Sequence, residues 1–331
     1  MNILLNVVLL LVGFVALIKG ADFFVEGSAA VAKKLHVPGV IIGLTIVAMG
    51  TSAPELAVSI SAGLTGSNEI AISNVIGSNI FNLIVVLGVC AVMAPVAVDK
   101  SIMKRDFPFS IAITLLLAVF ISDMILTGKS VITDTQARAG GISRWEALIF
   151  IILFAVYILI TVRSAIKNRQ TQQEEIEDMS GIKCAVYILG GIAAVVIGGQ
   201  LVVNSAKTIA LACHMTETLV GLTIVAMGTS LPELVTSVVA AKKGQNGMAA
   251  GNIIGSNIFN ILLILGVSAF IHPIPVITES LYDTVILIGL SIIIYIFAAT
   301  GDKIERKEGI AMIGAYILYM IYAVSRGMGW I

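Results

Sequence analysis

Residues 43–61 read GLTIVAMGTSAPELAVSIS, and residues 221–239, 178 positions later, read GLTIVAMGTSLPELVTSVV. Fourteen of these nineteen positions are identical. The same offset aligns AISNVIGSNIFNLIVVLGVC at 71–90 with AAGNIIGSNIFNILLILGVS at 249–268, identical at twelve of twenty. Upstream it continues more weakly, with GADFFVEGS at 20–28 against GGQLVVNSA at 198–206. No gap is needed, so the chain is a tandem duplication. Identity concentrates in polar, Gly- and Pro-containing segments, where a repeat kept for packing alone would spread it over apolar positions.

The composition around these segments decides their environment. Of 331 residues, 58% are hydrophobic and 12% charged, against about 45–50% and about 25% in soluble domains. Lys+Arg and Asp+Glu cancel at 20 each, which leaves no basic footprint for nucleic acid. With roughly 20 apolar residues per bilayer crossing, the chain has room for about ten spans and no sizeable soluble domain. Hydropathy places them near 2–32, 38–64, 69–94, 105–127, 144–165, 182–211, 216–241, 247–271, 281–299 and 309–326. The first lacks a basic leader and an A-x-A site and reads as a retained span. Cys90, Cys184 and Cys213 are too scattered for a disulfide framework or a zinc site, and His36, His214 and His272 fall at span ends.

Five spans separate equivalent segments. An odd number sends the second copy into the membrane from the opposite side, the inverted-topology design of secondary transporters, with the substrate near the midplane. The expected architecture is an all-α polytopic membrane protein. Residues 1–165 form one five-helix repeat, 166–181 a charged cytoplasmic linker, and 182–331 the inverted second repeat. With the N-terminus outside, the cytoplasmic segments hold Lys33, Lys34, Lys100, Lys104, Arg105, Arg163, Lys167, Arg169, Lys183, Lys242, Lys243, Lys303, Arg306 and Lys307. The outer segments hold Lys129, Arg138, Arg144, Lys207 and Arg326. Fourteen against five predicts both termini extracytoplasmic.

Spans 2 and 7 each carry G-T-S-x-P-E-L, at Gly50–Leu56 and Gly228–Leu234. Proline removes a helix donor and clashes with the preceding turn, so each span is predicted to break there and free carbonyls, which membrane-buried backbone tolerates only inside protein or beside a cavity. Glu55 and Glu233 follow the prolines. The S-x-x-E spacing from Ser52 and Ser230 also fits a helix capping box. Capping alone does not account for ionised carboxylates at mid-bilayer, which cost about 2.5–3.5 kcal/mol each; two symmetric instances point to cation ligation. In spans 3 and 8, Asn74, Ser78, Asn82 and their equivalents Asn252, Ser256, Asn260 recur every four residues and line one helix face. Gly77 and Gly255 beside the serines permit close helix approach. Interhelical hydrogen bonding is the alternative use of these polar residues, above all Asn74 and Asn252. An all-oxygen donor set suits Ca²⁺ or Na⁺ and disfavours zinc or copper. The two carboxylates carry a charge that one Ca²⁺ neutralises. Two Na⁺ would also neutralise it, and a third would leave the loaded site at +1.

The duplicated GTSxPEL and GSNIFN segments resemble the alpha-repeats of the cation/calcium exchanger superfamily, in its sodium/calcium branch of prokaryotic type. The resemblance implies a core of spans 2, 3, 7 and 8 gated by spans 1 and 6. It implies a calcium site of Glu55, Glu233 and the carbonyls of Thr51 and Thr229. Flanking sodium sites would use the carbonyls of Ala48 and Ala226 with Thr51, Ser52, Ser78, Thr229, Ser230 and Ser256, and three Na⁺ per Ca²⁺. Many relatives, potassium-dependent ones included, have an aspartate where this chain has Asn260, which weakens the case for K⁺. The proton-coupled branch carries an additional acid in spans 3 and 8 that is missing here, which favours Na⁺ over H⁺.

The expected function is exchange of Na⁺ for Ca²⁺ by alternating access, with Ca²⁺ extruded, at a prokaryotic inner membrane; Ca²⁺/H⁺ antiport on the same fold is the alternative. No resident cofactor, nucleic acid or obligate protein partner is expected beyond the ions and the bilayer. The spans hold no nucleophile–base pair or metal-bound water motif, so no enzyme is expected, and broken helices in an inverted repeat point away from a channel. Asp22 and Glu26, with Lys19 one turn before, read either as a local ion-pair cluster or as a polar stripe along an ion path. Asp123, Asp134, Asp283, Asp302, Glu305 and Glu308 read as solvated.

Overall fold

A computed structural model describes residues 3–65, 68–128, 137–167, 179–213, 226–301 and 303–327. Linker residues 168–178, together with Lys129, Asp134, His214, Asp302 and the start of the second GLTIVAMGTS copy, lie outside the described residues. Helix α1 (Ile3–Leu35) is followed by α2 (Gly39–Thr51) and α3 (Ala53–Leu64), which meet at an angle of 48°. Next come α4 (Glu69–Met93), α5 (Phe107–Ile121) and α6 (Arg144–Lys167). The second half holds α7 (Gly181–Ala212), α8 (Ala226–Gly228), α9 (Leu231–Lys242), α10 (Asn246–Ile271), α11 (Thr278–Gly301) and α12 (Arg306–Gly327).

Among the described residues, seven helices are long and apolar enough to cross a membrane, or eight if α2 and α3 form one bent span. Two of the ten expected spans are not matched at that length. Helix α5 has fifteen residues, about 22 Å, extended by a π-helical turn at Ile102–Asp106. The span expected at 216–241 begins outside the described residues.

Burial separates the helices into centre and periphery. The most apolar stretches of α4 and α10 are 78% and 83% buried, against 11–28% for the other five long helices. Leu4, Leu11, Val15, Ile182, Val186 and Leu189 on α1 and α7 are exposed, as bilayer contact requires. α1 and α7 pack antiparallel along glycines, which is the direction reversal an inverted pair of equivalents needs. A Cβ on Gly198 would lie 2.8 Å from the Gly13 carbonyl oxygen, and one on Gly191 2.8 Å from that of Gly20. Without side chains at the seam the backbones approach directly. Gly255 serves α10 likewise against α2, its built Cβ lying 2.8 Å from Leu44 Cα. Gly77, expected to do the same, meets nothing within 4 Å among the described residues; Leu222, the repeat counterpart of Leu44, lies outside them.

Two short ladders tie the repeats together. Strand β1 (Val96–Ala97) pairs antiparallel with β4 (Lys303–Ile304). Strand β2 (Arg138–Ile142) pairs with β3 (Ile274–Ile277). Each ladder joins one repeat to the other. Two charged residues depart from expectation. Asp283, read as solvated, is 15% exposed and bonds Arg326 at 2.7 Å. Arg105, read as a loop charge, donates from Nε at 2.9 Å to the fully buried Asp106, which also accepts from the Tyr157 hydroxyl at 3.2 Å; the pair pins the start of α5 to α6.

Candidate functional site

The break in span 2 falls where the proline requires it. Pro54 has no N–H to return to Gly50, and α2 ends at Thr51, with Ser52 at φ −81°, ψ 10°. Across the molecule α8 ends at Gly228 and Ser230 stands at φ −93°, ψ 8° before α9. The backbone thus turns twice, by the same device, beside the buried helices α4 and α10.

The side chains at these breaks are exchanged between repeats. Ser52 Oγ donates to Glu233 Oε1 at 2.8 Å, and Ser230 Oγ donates to Glu55 Oε1 at 3.0 Å. The S-x-x-E capping box therefore does not form at α9: Ser230 makes no cap bond to its own helix. Glu55 also accepts from Ser78 Oγ at 3.4 Å. Ser256, the equivalent of Ser78, contributes to the surroundings of Glu233 beyond hydrogen-bond range. Thr51 Oγ1 donates to Asn252 Oδ1 at 3.1 Å, and Thr229 Oγ1 to Asn74 Oδ1 at 3.4 Å. The amides of Asn252 and Asn74 then donate onward to Ser237 and Ser59, at 2.9 and 3.3 Å. Both ends of each amide are engaged, so Asn74 and Asn252 brace the wall of the site as interhelical bridges. The Ala48 carbonyl accepts from Ser52 N at 3.1 Å and lies 3.4 Å from Thr51 Oγ1; Ala226 opens α8 at the equivalent place.

Glu55, Glu233, Ser52, Ser230, Asn82 and Asn260 are all fully buried, and the two carboxylates lie close enough to interact electrostatically. Among the described residues no Lys, Arg or His pairs with either. Glu55 Oε2, Glu233 Oε2, Asn82 Oδ1 and Asn260 Oδ1 have no hydrogen-bond partner among the described residues. A buried unpaired acceptor costs about 1–3 kcal/mol, more if charged. These are four acceptor oxygens in two repeat-related pairs, the ligand type that a hard cation takes. Asn82 and Asn260 also begin π-helical turns, Asn82–Val86 and Asn260–Leu265. Widened turns of this kind recur at functional sites. A cavity of about 200 Å³ reaches the breaks, lined by Pro54, Thr229 and Pro232 and by Gln200 and Asn204 of α7.

Sequence reasoning missed Ser59, Ser237, Asn79 and Asn257. The asparagines were visible inside the repeated GSNIFN, but their registers fall off the four-residue face used to choose ligands.

This combination of repeated broken helices, antiparallel equivalents and a buried carboxylate pair defines a membrane transporter of cations. The family model described as sodium/calcium exchanger protein matches residues 5–163 and again 183–325. Sodium/calcium exchanger MaX1 of Methanosarcina acetivorans is 34% identical over 345 residues, covering 96% of this chain and 98% of that protein. Inner membrane protein YrbG of Escherichia coli is 29% identical over 339 residues, covering 97% and 98%. The structure of the sodium-calcium exchanger NCX_Mj soaked with zero Na⁺ and Ca²⁺ matches with a TM-score of 0.81 and 32% identity, over 97% of this chain and all of that one. The chain belongs to the sodium/calcium exchanger protein family, whose members are cation/Ca²⁺ antiporters of the membrane.

Proposed function

We propose that the protein exchanges Na⁺ for Ca²⁺ by alternating access, extruding Ca²⁺, through ten spans arranged as two inverted five-helix repeats with both termini outside an inner membrane. The crosswise pairing of Ser52 with Glu233 and Ser230 with Glu55, with the second oxygen of each glutamate unpartnered among the described residues, carries this reading. Glu55 and Glu233 hold the Ca²⁺, helped by the carbonyls of Thr51 and Thr229. Na⁺ uses the same carboxylates with Ala48, Ala226, Ser52, Ser78, Asn82, Ser230, Ser256 and Asn260. Antiport follows from charge. With no basic partner, the paired carboxylates favour neutralisation by one Ca²⁺ or by several Na⁺, and either load displaces the other. Helices α1 and α7 then shift past the core to expose the site on one side at a time.

The test is ⁴⁵Ca²⁺ uptake into proteoliposomes loaded with Na⁺. Wild-type protein is expected to take up Ca²⁺ as Na⁺ leaves down its gradient, and Glu55→Gln or Glu233→Gln to abolish the flux while the protein still folds. Normal flux in either variant removes the site assignment. Uptake driven by a pH gradient without Na⁺ would instead make H⁺ the coupled ion.

A further inference from the structure

Where α4 meets α10, Asn79 and Asn257 exchange hydrogen bonds across the repeats. Asn79 Nδ2 donates to the Asn257 carbonyl at 3.2 Å, and Asn257 Nδ2 donates to the Asn79 carbonyl at 3.3 Å. Each offers its remaining amide oxygen to an asparagine of the opposite repeat. Asn260 Nδ2 donates to Asn79 Oδ1 at 2.9 Å, and Asn82 Nδ2 donates to Asn257 Oδ1 at 3.3 Å. All four side chains are at most 3% exposed. The chain of bonds ends at Asn82 Oδ1 and Asn260 Oδ1, two of the buried oxygens without a partner among the described residues.

An amide has one end that attracts a cation and one that repels it. A half-turn about the terminal torsion exchanges them, and that torsion is intrinsically two-fold. A lone buried asparagine is therefore an ambiguous cation ligand. Here the ambiguity is removed, because the acceptors on Asn79 and Asn257 draw the Nδ2 groups of Asn260 and Asn82 to themselves. The released oxygens sit one helical turn from Ser256 and Ser78, on the faces that meet Glu233 and Glu55.

Resting on the exchanger reading above, we propose that Asn79 and Asn257 are positioning residues that lock the Asn260 and Asn82 amides with oxygen toward the transported cation. The lock lets neutral side chains serve as one-signed ligands without adding to the charge of the two glutamates. A change at Asn79 therefore frees the Asn260 amide, and a change at Asn257 frees the Asn82 amide.

A carboxylate has no wrong end, so the dependence on Asn79 should vanish once position 260 is an aspartate. The experiment is equilibrium ⁴⁵Ca²⁺ binding to the purified full-length protein as wild type, Asn79→Ala, Asn260→Asp and the double variant. Asn79→Ala is expected to weaken Ca²⁺ binding roughly tenfold, the scale seen when outer-shell partners of metal ligands are removed. On the Asn260→Asp background it is expected to cost less than about twofold, within ordinary additivity. Equal losses on both backgrounds would make Asn79 a packing residue and overturn the proposal, as would no loss on either. If Asn79→Ala does not yield monodisperse protein, Asn257→Ala with and without Asn82→Asp poses the same question from the other repeat. Failure of the wild type to bind ⁴⁵Ca²⁺ would bring down the exchanger reading itself, before any variant is compared.

Discussion

Asp22 and Glu26 on α1 and their counterparts Gln200 and Asn204 on α7 occupy equivalent places beside the same core, yet their surroundings differ. The two acids are half-buried against Lys243, which reaches from the end of α9 to bond Glu26 Oε1 at 2.6 Å and Asp22 Oδ1 at 3.3 Å. The two amides are exposed and line the cavity beside Thr229 and the proline breaks. One flank is bridged by ion pairs and the other borders a cavity. The core between them is close to symmetric, apart from Ser78, which bonds Glu55 where the equivalent Ser256 has no hydrogen-bond partner among the described residues. A transporter with two-sided access needs this division: a site that is the same from both sides, and flanks that differ at any one moment.

The sharpest way to break the comparison is to ask whether the core is as even as its bonds suggest. Ser52→Ala and Ser230→Ala each remove one hydrogen bond to a buried carboxylate, worth about 1.5–3 kcal/mol. Each is expected to weaken ⁴⁵Ca²⁺ binding by roughly ten- to a hundredfold, and by similar amounts. A tenfold or greater difference between them would mean that the asymmetry reaches into the site. The next effect concerns what holds the flanks to each other. A Cβ on Gly191 would lie 2.7 Å from Phe24 N and one on Gly198 2.7 Å from Leu17 N, whereas one on Gly190 meets nothing within 4 Å among the described residues. Gly191→Ala and Gly198→Ala should each destabilise by about 1–3 kcal/mol, read as lowered Tm. Gly190→Ala should be neutral or slightly stabilising, because alanine is the better helix former.

The smallest effect addresses the closed flank. Lys243 and its partners are partly exposed, so Lys243→Gln should change stability by less than about 1 kcal/mol. It should still change access. In a Cys213→Ser background, which removes the exposed thiol and leaves the buried Cys90 and Cys184, Asn204→Cys should react with a water-soluble thiol reagent faster than Glu26→Cys. Adding Lys243→Gln should raise the rate at Glu26→Cys and leave Asn204→Cys unchanged. Equal rates at both positions before that change would erase the distinction between the flanks.

The repeat, the membrane setting and the two proline breaks were readable from residue order alone, because each follows from local chemistry repeated at a fixed offset. The serines were picked out as site candidates from the S-x-x-E motif, whose spacing gives an incomplete account of their bonds. The spacing S-x-x-E describes a distance along one helix and says nothing of a partner 181 residues away, which is where Ser52 finds its acceptor. Lys243 was counted as a topology charge for the same reason: its ion pairs with Asp22 and Glu26 span more than 200 positions. Asn79 and Asn257 were hidden by the four-residue face rule, which selects one face of each helix and passes over residues that bond that face from the other repeat. Helix α5 eluded a hydropathy boundary because its first turn is π-helical and carries the buried Asp106.

The crosswise serines have a consequence for how such a molecule can be assembled. Each half supplies one carboxylate and the hydroxyl that orients the other half's carboxylate, so neither half is a smaller version of the whole. The minimum unit able to complete this crosswise pairing is two halves. Joining them in one polypeptide fixes their number at two and lets the copies drift apart, as Asp22 and Glu26 have from Gln200 and Asn204, while the shared centre keeps both under a common constraint.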